Sequence, residues 1–201
     1  MSRVIANAAM SLDGYISGPD ESGFDHLFAW YGNGDVTVAT AQADRTFHMT
    51  PESAAVWRQV TARLGALVVG RRTFDVTDGW AGLHPLGTPV VVLTHRVPEA
   101  WVAGHPEAPF TFVTDGIEAA VGAARELAGD ADVACTAGVI AQQALDAGLL
   151  DEIWVMLVPV VLGGGRPFFE TVRSAPVRFE DPIVVPARGV THLRYRVRAR
   201  V

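Results

Sequence analysis

Short apolar segments alternate with segments of helical period along most of this chain, and this alternation constrains the fold more than any other feature. The apolar segments are rich in valine and end at turn residues, as buried strands do. They are RVIANAAM (3–10), ALVVG (66–70), TPVVVLT (88–94), FTFVTD (110–115) and DVACTAG (132–138). Strands that alternate with helices predict an α/β fold with a mainly parallel sheet.

Three helices have readable boundaries. Thr50 is a predicted N-cap, and Gly65 is predicted to end the helix that it begins. A short helix is expected from Arg71 to a stop near Gly79, and Asp115 is predicted to cap a third. The apolar stripe of that third helix is Ile117, Val121, Ala124 and Leu127.

The C-terminal part of the chain predicts an antiparallel end to the sheet. A long apolar run, DEIWVMLVPVVLGGG, is broken at Pro159, and two further strands near 177–185 and 189–200 follow without a helix between them. Consecutive strands of this kind make a sheet mixed. We therefore expect one three-layer αβα domain over residues 1–201, with an antiparallel C-terminal strand.

Composition excludes several classes of function. The net charge is −6, which argues against a nucleic-acid or anionic-membrane surface. All 16 basic residues are arginine, which excludes lysine chemistry. One cysteine and six histidines without metal spacing predict no disulfide and no metal site. No run approaches the ~20 apolar residues of a membrane span, so we expect a cytoplasmic protein.

The stretch VVGRRTFD places positive charge where a strand turns into a helix. Gly70 permits a tight turn, and Arg71, Arg72 and Thr73 fall on the first helical turn. Arginine opposes the helix dipole there, so an anion such as phosphate is one predicted partner. The alternative is a solvated turn in which one arginine pairs with Asp75 or Asp78, and the local pattern leaves both open.

Two other turns are candidates for a site. Asp13 in AAMSLDGYIS is either a turn residue bonded to backbone, which the spacing favours, or a desolvated acid–base group at a pocket edge. The triple glycine of PVVLGGGRPFFE forms a loop that approaches a ligand, approaches the TAG turn at 136–138, or bends tightly.

Arginines alternate with other residues near the C-terminus, at positions 194, 196, 198 and 200, after His192. Period two places them on one face of a strand. A phosphate-binding stripe is one interpretation, and a solvated face that protects an edge strand is the favoured one.

Taken in order, these segments resemble the dihydrofolate-reductase-like superfamily, and within it the C-terminal reductase domain of the bifunctional riboflavin-biosynthesis deaminase/reductase. The similar segments are AAMSLDGYIS, ALVVGRRTFD, PVVVLTHR, CTAGVIAQQAL and AGLLDEIWVMLVPVVLGGGRPFFE. The resemblance implies a dihydrofolate-reductase-like mixed sheet, NADPH as the hydride donor, a small-molecule substrate and a homodimer.

The resemblance also implies roles for residues by position. Arg71, Arg72 and Thr73, after Gly70, would meet the 2′-phosphate and pyrophosphate of NADPH. The other implied cofactor contacts are Ala9 and Ile16 at the nicotinamide, Thr94 and His95 at the adenosine, and Thr136, Ala137, Gly138, Leu162 and Gly163 at the pyrophosphate. Asp13 would be the catalytic residue, beside the nicotinamide and substrate.

Several positions depart from the family pattern. Thr136 and Ala137 stand where the family has two adjacent glycines. Cys135 and Asn7 stand where the pyrimidine reductases of riboflavin biosynthesis have a glutamate and a lysine. The helix before VVGR has Ser53 and Ala54 near the position of the carboxylate that binds pterin in dihydrofolate reductases, with Glu52 one position early.

These comparisons imply an NADPH-dependent reductase that delivers hydride to a C=N or C=O of a heterocyclic or sugar-derived substrate. A reductase of the phosphoribosylaminouracil type is one form of this function. The alternatives are a dihydrofolate or pterin reductase and a non-catalytic NADPH-binding or dimerisation module. The aromatic residues Phe24, Phe28 and Trp30 are predicted to line the substrate pocket or to belong to the core.

Overall fold

The computed structural model describes residues 2–198, and its strands follow the alternation seen in the sequence. The strands are β1 Val4–Ser11, β2 Tyr15–Ser17, β3 Val36–Ala39, β4 Thr46–Met49, β5 Leu64–Gly70, β6 Val90–Leu93, β7 Phe110–Val113, β8 Asp132–Thr136, β9 Glu152–Val158, β10 Arg166–Pro167, β11 Ile183–Ala187 and β12 Val190–Arg196. The α-helices are α1 Phe24–Leu27, α2 Pro51–Thr61, α3 Arg71–Val76, α4 Glu99–Gly104, α5 Ile117–Ala128 and α6 Val139–Asp146.

Eight of the strands form the central sheet, in the order β11-β12-β9-β1-β8-β5-β6-β7. The six strands from β9 to β7 are mutually parallel. Strand β12 is antiparallel to β9, and β11 is antiparallel to β12. The predicted mixed sheet, mainly parallel with an antiparallel C-terminal end, is confirmed.

Helices cover both faces of the sheet, so the predicted three-layer arrangement is also confirmed. One core packs α5 and α6 against one face, through residues such as Val121 and Ala141. A second packs α2 and the segment that precedes it against the opposite face of β9 and β1. A third packs Phe74 of α3 against β5 and β6. Within residues 2–198, no helix combines the length and apolar character needed to cross a membrane.

The predicted boundary of α2 is right at its start and wrong at its end. The Thr50 hydroxyl accepts a hydrogen bond from the Ser53 N–H at 3.3 Å, as an N-cap does. Gly65 does not stop the helix, because it lies inside β5. A Cβ at Gly65 would stand 2.7 Å from Cα of Ala128, so glycine is required by the close packing of α5 on this strand.

Two expectations for α5 are also wrong. Its N-cap is Gly116 at φ 92°, and no side chain caps the helix, so Asp115 does not serve as the cap. Leu127 is 47% exposed and lies outside the buried stripe, which Ala120 completes instead. The other predicted stripe residues, Ile117, Val121 and Ala124, are buried, so the expected face is right except at its C-terminal end.

The C-terminal strands differ from the prediction in position and in role. Strand β11 begins at Ile183 rather than near 177, and the preceding segment pairs only through a bridge between Phe179 and Val197. The arginine-bearing strand β12 is internal, because β11 forms the edge. Its His192 is buried, so the predicted solvated edge face is wrong; the predicted position of Arg200 lies outside the described residues.

Candidate functional site

The turns singled out in the sequence meet at the carboxyl edge of the parallel sheet. Strands β1, β8, β5 and β6 are adjacent in that order and run in the same direction. The turns that follow these strands therefore lie on one side of the sheet, at residues 11–15, 136–138, 70–73 and 94–96. This edge is where open α/β sheets bind their ligands.

The turn after β8 has the features of an anion site. Helix α6 begins at Gly138, which has φ 79° and provides no side-chain cap. The first-turn N–H groups of a helix lack acceptors within it and carry partial positive charge. The Thr136 hydroxyl beside them is buried and has no hydrogen-bond partner among the described residues. A buried polar group of this kind calls for a partner, and a ligand phosphate oxygen would supply one.

Helix α3 approaches the same region from the opposite face of the sheet. Its first residues follow Gly70, where a Cβ would lie 3.3 Å from Cγ1 of Ile140 on α6. The two helix starts therefore bracket the ends of β5 and β8. Gly70 permits this approach because it has no side chain.

Arg71 points from α3 toward the end of β6. Its Nε donates to Oδ1 of Asp75 at 2.8 Å, and its Nη1 donates to the carbonyl of Arg96 at 2.7 Å. The Thr94 hydroxyl donates to the same carbonyl at 2.9 Å, so it is already used within the turn, while His95 is exposed. The Arg71–Asp75 pair predicted for a solvated turn is thus present.

Two open concavities lie on the surface of the described residues, with volumes of about 430 and 590 Å³. The larger lies beside Arg71 and is lined also by Arg96 and Trp101, with three carboxylates, Asp75, Asp78 and Glu99, at its walls. Arginine binds phosphate, but the carboxylates outnumber the two arginines here, so the lining as a whole is not an anion site.

Arg72 points the other way, toward β1. Its Nε forms a charged hydrogen bond with Oε1 of Glu21, which lies in the 3-10 turn Pro19–Glu21 after β2. Thr73, the third residue of this first turn, is half-buried. The two adjacent arginines therefore point in opposite directions along the carboxyl edge, Arg71 toward β6 and Arg72 toward β1.

Asp13 joins the turn after β1 to the glycine-rich loop. Its carboxylate accepts hydrogen bonds from the Ser11 hydroxyl at 2.6 Å and from the backbone N–H groups of Leu162 and Gly163 at 3.1 and 2.7 Å. The Ser11 hydroxyl, and then these amides, lower the pKa of Asp13. Asp13 is exposed, and its contacts are those of the turn interpretation that the spacing favoured, while its catalytic role stays a prediction.

The last residue of the triple glycine, Gly165, is needed for a close approach of backbone to backbone. A Cβ at Gly165, where φ is 123°, would stand 1.9 Å from the Ser17 carbonyl oxygen. Just beyond the loop, the Phe168 carbonyl accepts a hydrogen bond from the Gly138 N–H at 2.8 Å. The loop thus contacts β2, and the segment after it contacts the TAG turn.

The residues predicted at the nicotinamide lie on the β1 side of the edge. Ala9 is buried in the second core, at 3% exposure. Ile16 is half-buried, and its Cδ1 would lie 3.7 Å from a Cβ placed on Gly138. Ala137 is buried beneath the same turn. All the predicted cofactor residues thus come from turns and strand ends at one edge.

Helix α2 buries Ser53 and Ala54 and exposes Glu52. Ser53 is buried and its Oγ lies 2.9 Å from Nε2 of His192, while Ala54 is buried beside it. Burial lowers the pKa of His192 to about 4, so the imidazole is neutral at pH 7. Glu52 is exposed and lines the smaller pocket with Arg188.

Trp30 and Cys135 have structural roles, in cores on opposite faces of the sheet. Trp30 is core at 1% exposure, whereas Phe28 is 41% exposed and remains a candidate for a pocket wall. Cys135 is buried on the α5–α6 side, and burial raises the pKa of its thiol to about 12. Asn7 of β1 pairs in register with Thr136 of β8. It therefore lies on the strand next to the Thr136 hydroxyl.

Sequence reasoning missed three participants in this region. Glu21 and Arg96 contact or flank the two arginines, and His192 anchors Ser53. The Gly-Pro-Asp-Glu-Ser composition of the first loop indicated only a turn. No local pattern signals a carboxylate that meets Arg72 across 51 residues of chain.

The fold and the edge site define an α/β protein with the dihydrofolate-reductase-like arrangement. The structure superimposes on dihydrofolate reductase from Enterococcus faecalis complexed with NADP(H) with a TM-score of 0.59 at 13% identity, covering 98% of this chain and 97% of that one. Residues 2–183 match the model of the RibD C-terminal domain, so the chain belongs to that family.

Two further structures are similar. A candidate riboflavin biosynthesis protein from Shewanella sp. PV-4 matches with a TM-score of 0.70 and 23% identity, covering 98% of this chain and 99% of that chain. RibD from Acinetobacter baumannii matches with a TM-score of 0.62 and 14% identity, covering 98% of this chain and 58% of that one. No curated protein matches the sequence.

Proposed function

We propose that this protein is an NADPH-dependent reductase of a small heterocyclic or sugar-derived substrate. The observation that carries the proposal is the pairing of two arginines on α3 with the uncapped start of α6 at one sheet edge. The buried, unpartnered hydroxyl of Thr136 between them fits the oxygen of a bound phosphate group. Membership of the RibD C-terminal domain family supports the same function.

The residues present fit a phosphorylated dinucleotide. Arg71, beside the larger pocket, would hold the 2′-phosphate, since a guanidinium binds phosphate in a bidentate manner. Thr136 and the start of α6 would hold the pyrophosphate together with Arg72. Ala9 and Ile16 would support the nicotinamide, which supplies the hydride when the cofactor is bound.

Asp13 suits positioning better than proton transfer. A carboxylate that accepts a hydroxyl and two amide hydrogen bonds is a weak base and holds its proton poorly. Its contribution would be to fix the loop at Leu162 and Gly163 against the turn after β1. An acid–base role for Asp13 therefore requires a rearrangement that frees its carboxylate.

The charged positions of the resembled reductases are not kept in this chain. Ser53 and Ala54 stand near the position of a carboxylate on α2, and Asn7 and Cys135 stand at two charged positions on β1 and β8. Ser53, Ala54 and Cys135 are buried, so they do not line a substrate pocket. An aminopyrimidine and a pterin are the substrate types of the resembled reductases, and a substrate panel should include each.

The test of cofactor choice uses the single variant Arg71→Ala, because Arg72 is assigned to the pyrophosphate that NADPH and NADH share. Losing charge-assisted phosphate contacts should weaken NADPH binding by at least about tenfold and NADH binding by much less, because only NADPH has the 2′-phosphate. Nicotinamide fluorescence during titration measures both affinities. Arg178→Ala, an exposed arginine away from the carboxyl edge, should change neither.

Equal losses for NADPH and NADH would refute the 2′-phosphate assignment. Steady oxidation of NADPH with a pterin or an aminopyrimidine would exclude a non-catalytic binding module. Tight binding without turnover across the panel would instead support that module.

A further inference from the structure

The ion pair between Arg72 and Glu21 joins two segments on either side of the proposed phosphate site. Arg72 follows β5, and Glu21 lies in the turn that follows β1 and β2. Strand β8 lies between β1 and β5 in the sheet. The pair therefore connects the carboxyl ends of the two strands that flank β8, the strand that ends at Thr136.

The segment that carries Glu21 is held in an unusual conformation. Asp20 has φ 52° and Glu21 has φ 60°, both in the left-handed region that residues other than glycine rarely adopt. The turn is closed by a hydrogen bond from the Gly18 N–H to the Ser22 carbonyl at 2.8 Å. Consecutive left-handed residues persist only where contacts hold them, and the Arg72 pair is such a contact.

The same segment touches the glycine-rich loop. A Cβ at Gly164 would lie 3.7 Å from Cγ of Pro19, and a Cβ at Gly23 would lie 2.8 Å from Cδ2 of Leu162. A change in the conformation of the turn at 18–23 would therefore alter the packing of Leu162, which is one of the predicted cofactor contacts. The ion pair links this loop pair to α3.

We propose that Glu21 is an internal competitor for Arg72, whose carboxylate occupies the guanidinium until a ligand phosphate replaces it. Carboxylate and phosphate oxygens are both negatively charged hydrogen-bond acceptors. They therefore compete for the N–H donors of the Arg72 guanidinium. Displacement frees Glu21 and releases the turn at 18–23. Identifying the ligand as NADPH rests on the proposed function, but the ion pair and its effect on the turn do not.

Glu21 thereby lowers the affinity of the site for an anion. Both partners are partly exposed, with side-chain exposures of 29% for Glu21 and 56% for Arg72, so the pair is a modest barrier. Its removal should strengthen binding of a phosphorylated ligand by about three- to fivefold. The gain should shrink as salt concentration rises, because salt screens exposed charges.

The test compares Glu21→Gln with Asp20→Asn in the full chain. Both variants remove one negative charge from the same turn, but only Glu21 pairs with Arg72. Titrations with NADPH and with inorganic pyrophosphate measure binding, and hydrogen exchange of residues 18–23 measures the turn without any ligand. We expect Glu21→Gln to bind both ligands about three- to fivefold more tightly and to exchange faster at 18–23.

Equal affinity gains in the two variants would overturn the competition, because they would reflect net charge alone. Weaker binding by Glu21→Gln would overturn it as well, since Glu21 would then contribute to the bound state. If no variant binds NADPH, the proposed function fails, while pyrophosphate binding and exchange at 18–23 still decide the role of Glu21. If hydrogen exchange of residues 18–23 is unchanged in Glu21→Gln, Glu21 does not stabilise this turn.

Discussion

Asp13 shows how one side chain can join two distant turns. Its carboxylate bonds to Ser11 two residues away and to backbone amides 149 and 150 residues away. The preceding strand and the Asp-Gly pair predict the local turn, because turn chemistry depends on neighbours in sequence. The contact with the glycine loop depends on where β9 ends beside β1, which no local pattern contains.

We expect Asp13→Asn to lower the melting temperature at pH 7 and to loosen the loop at Leu162 and Gly163. The Asp13 pKa is lowered in the folded state, so its stabilisation is present above the ordinary carboxyl pKa and is lost as pH falls through the folded value. The difference between wild type and variant should therefore shrink in acid. Thermal melts as a function of pH measure this.

Asp115→Asn is the matched control for that measurement. Asp115 is exposed, precedes α5 and does not cap it. Its substitution should leave the melting temperature unchanged across the same pH range. Equal effects of the two substitutions would show that the bonds of Asp13 do not stabilise the loop.

At the scale of elements, the arginine-bearing strand β12 was expected at the edge of the sheet, but β11 forms that edge and β12 is internal. The alternating arginines of β12 suggested a solvated edge, but the final hairpin adds β11 outside it. Arg194 and Arg196 instead reach Glu152, at 2.8 and 3.3 Å. The error is physical in origin, because alternation reports the two faces of a strand and not its neighbours in the sheet.

We propose that the edge strand β11 takes part in a homodimer. Ile183 and Val184 are 58% and 51% exposed on a strand with one free edge, and such edges pair readily with another strand. Val184→Glu should convert a dimer to a monomer in sedimentation velocity. Leu127→Glu, at an exposed apolar position of α5, should leave the dimer intact. A wild-type monomer, or a dimer retained by Val184→Glu, would contradict this assembly.

At the scale of the whole molecule, charge is divided between the two ends of the sheet. The carboxyl edge carries the proposed ligand site, and the opposite edge carries buried carboxylates clamped by arginines. Arg3 binds Oδ2 of Asp132 and Oε1 of Glu152, each at 2.6 Å, and Arg63 adds a contact to Asp132 at 3.1 Å. This network ties together the starts of β1, β8 and β9.

Asp132→Asn should reduce the free energy of unfolding at pH 7 by on the order of 2 kcal/mol. Burial acts to raise the pKa of Asp132, but hydrogen bonds from Arg3 and Arg63 outweigh it and hold the pKa at about 2. The stabilisation is therefore present above about pH 4 and is lost as pH falls toward 2. Urea unfolding of wild type and variant at several pH values measures the difference.

Asp130→Asn, at an exposed carboxylate just before β8, is the control for that series. It should unfold like the wild type at every pH. A constant difference between Asp132→Asn and wild type from pH 7 to pH 3 would show that the charge of Asp132 is not what stabilises this edge.

The amino-acid sequence by itself determined the alternation of strands and helices, the parallel sheet and the position of the turns at its carboxyl edge. Each of these follows from local periodicity and turn residues, which act within a few positions. Gly70, Asp13 and the triple glycine could therefore be recognised before their neighbours were known.

Only the tertiary structure decided which groups those turns meet. Gly65 belongs to a strand because α5 packs on it, Arg72 meets Glu21 across β8, and His192 is buried because Ser53 of α2 and Trp30 pack against it. These outcomes depend on distances between segments far apart in the chain. Close packing and charge pairing act through space, so local sequence patterns do not contain them.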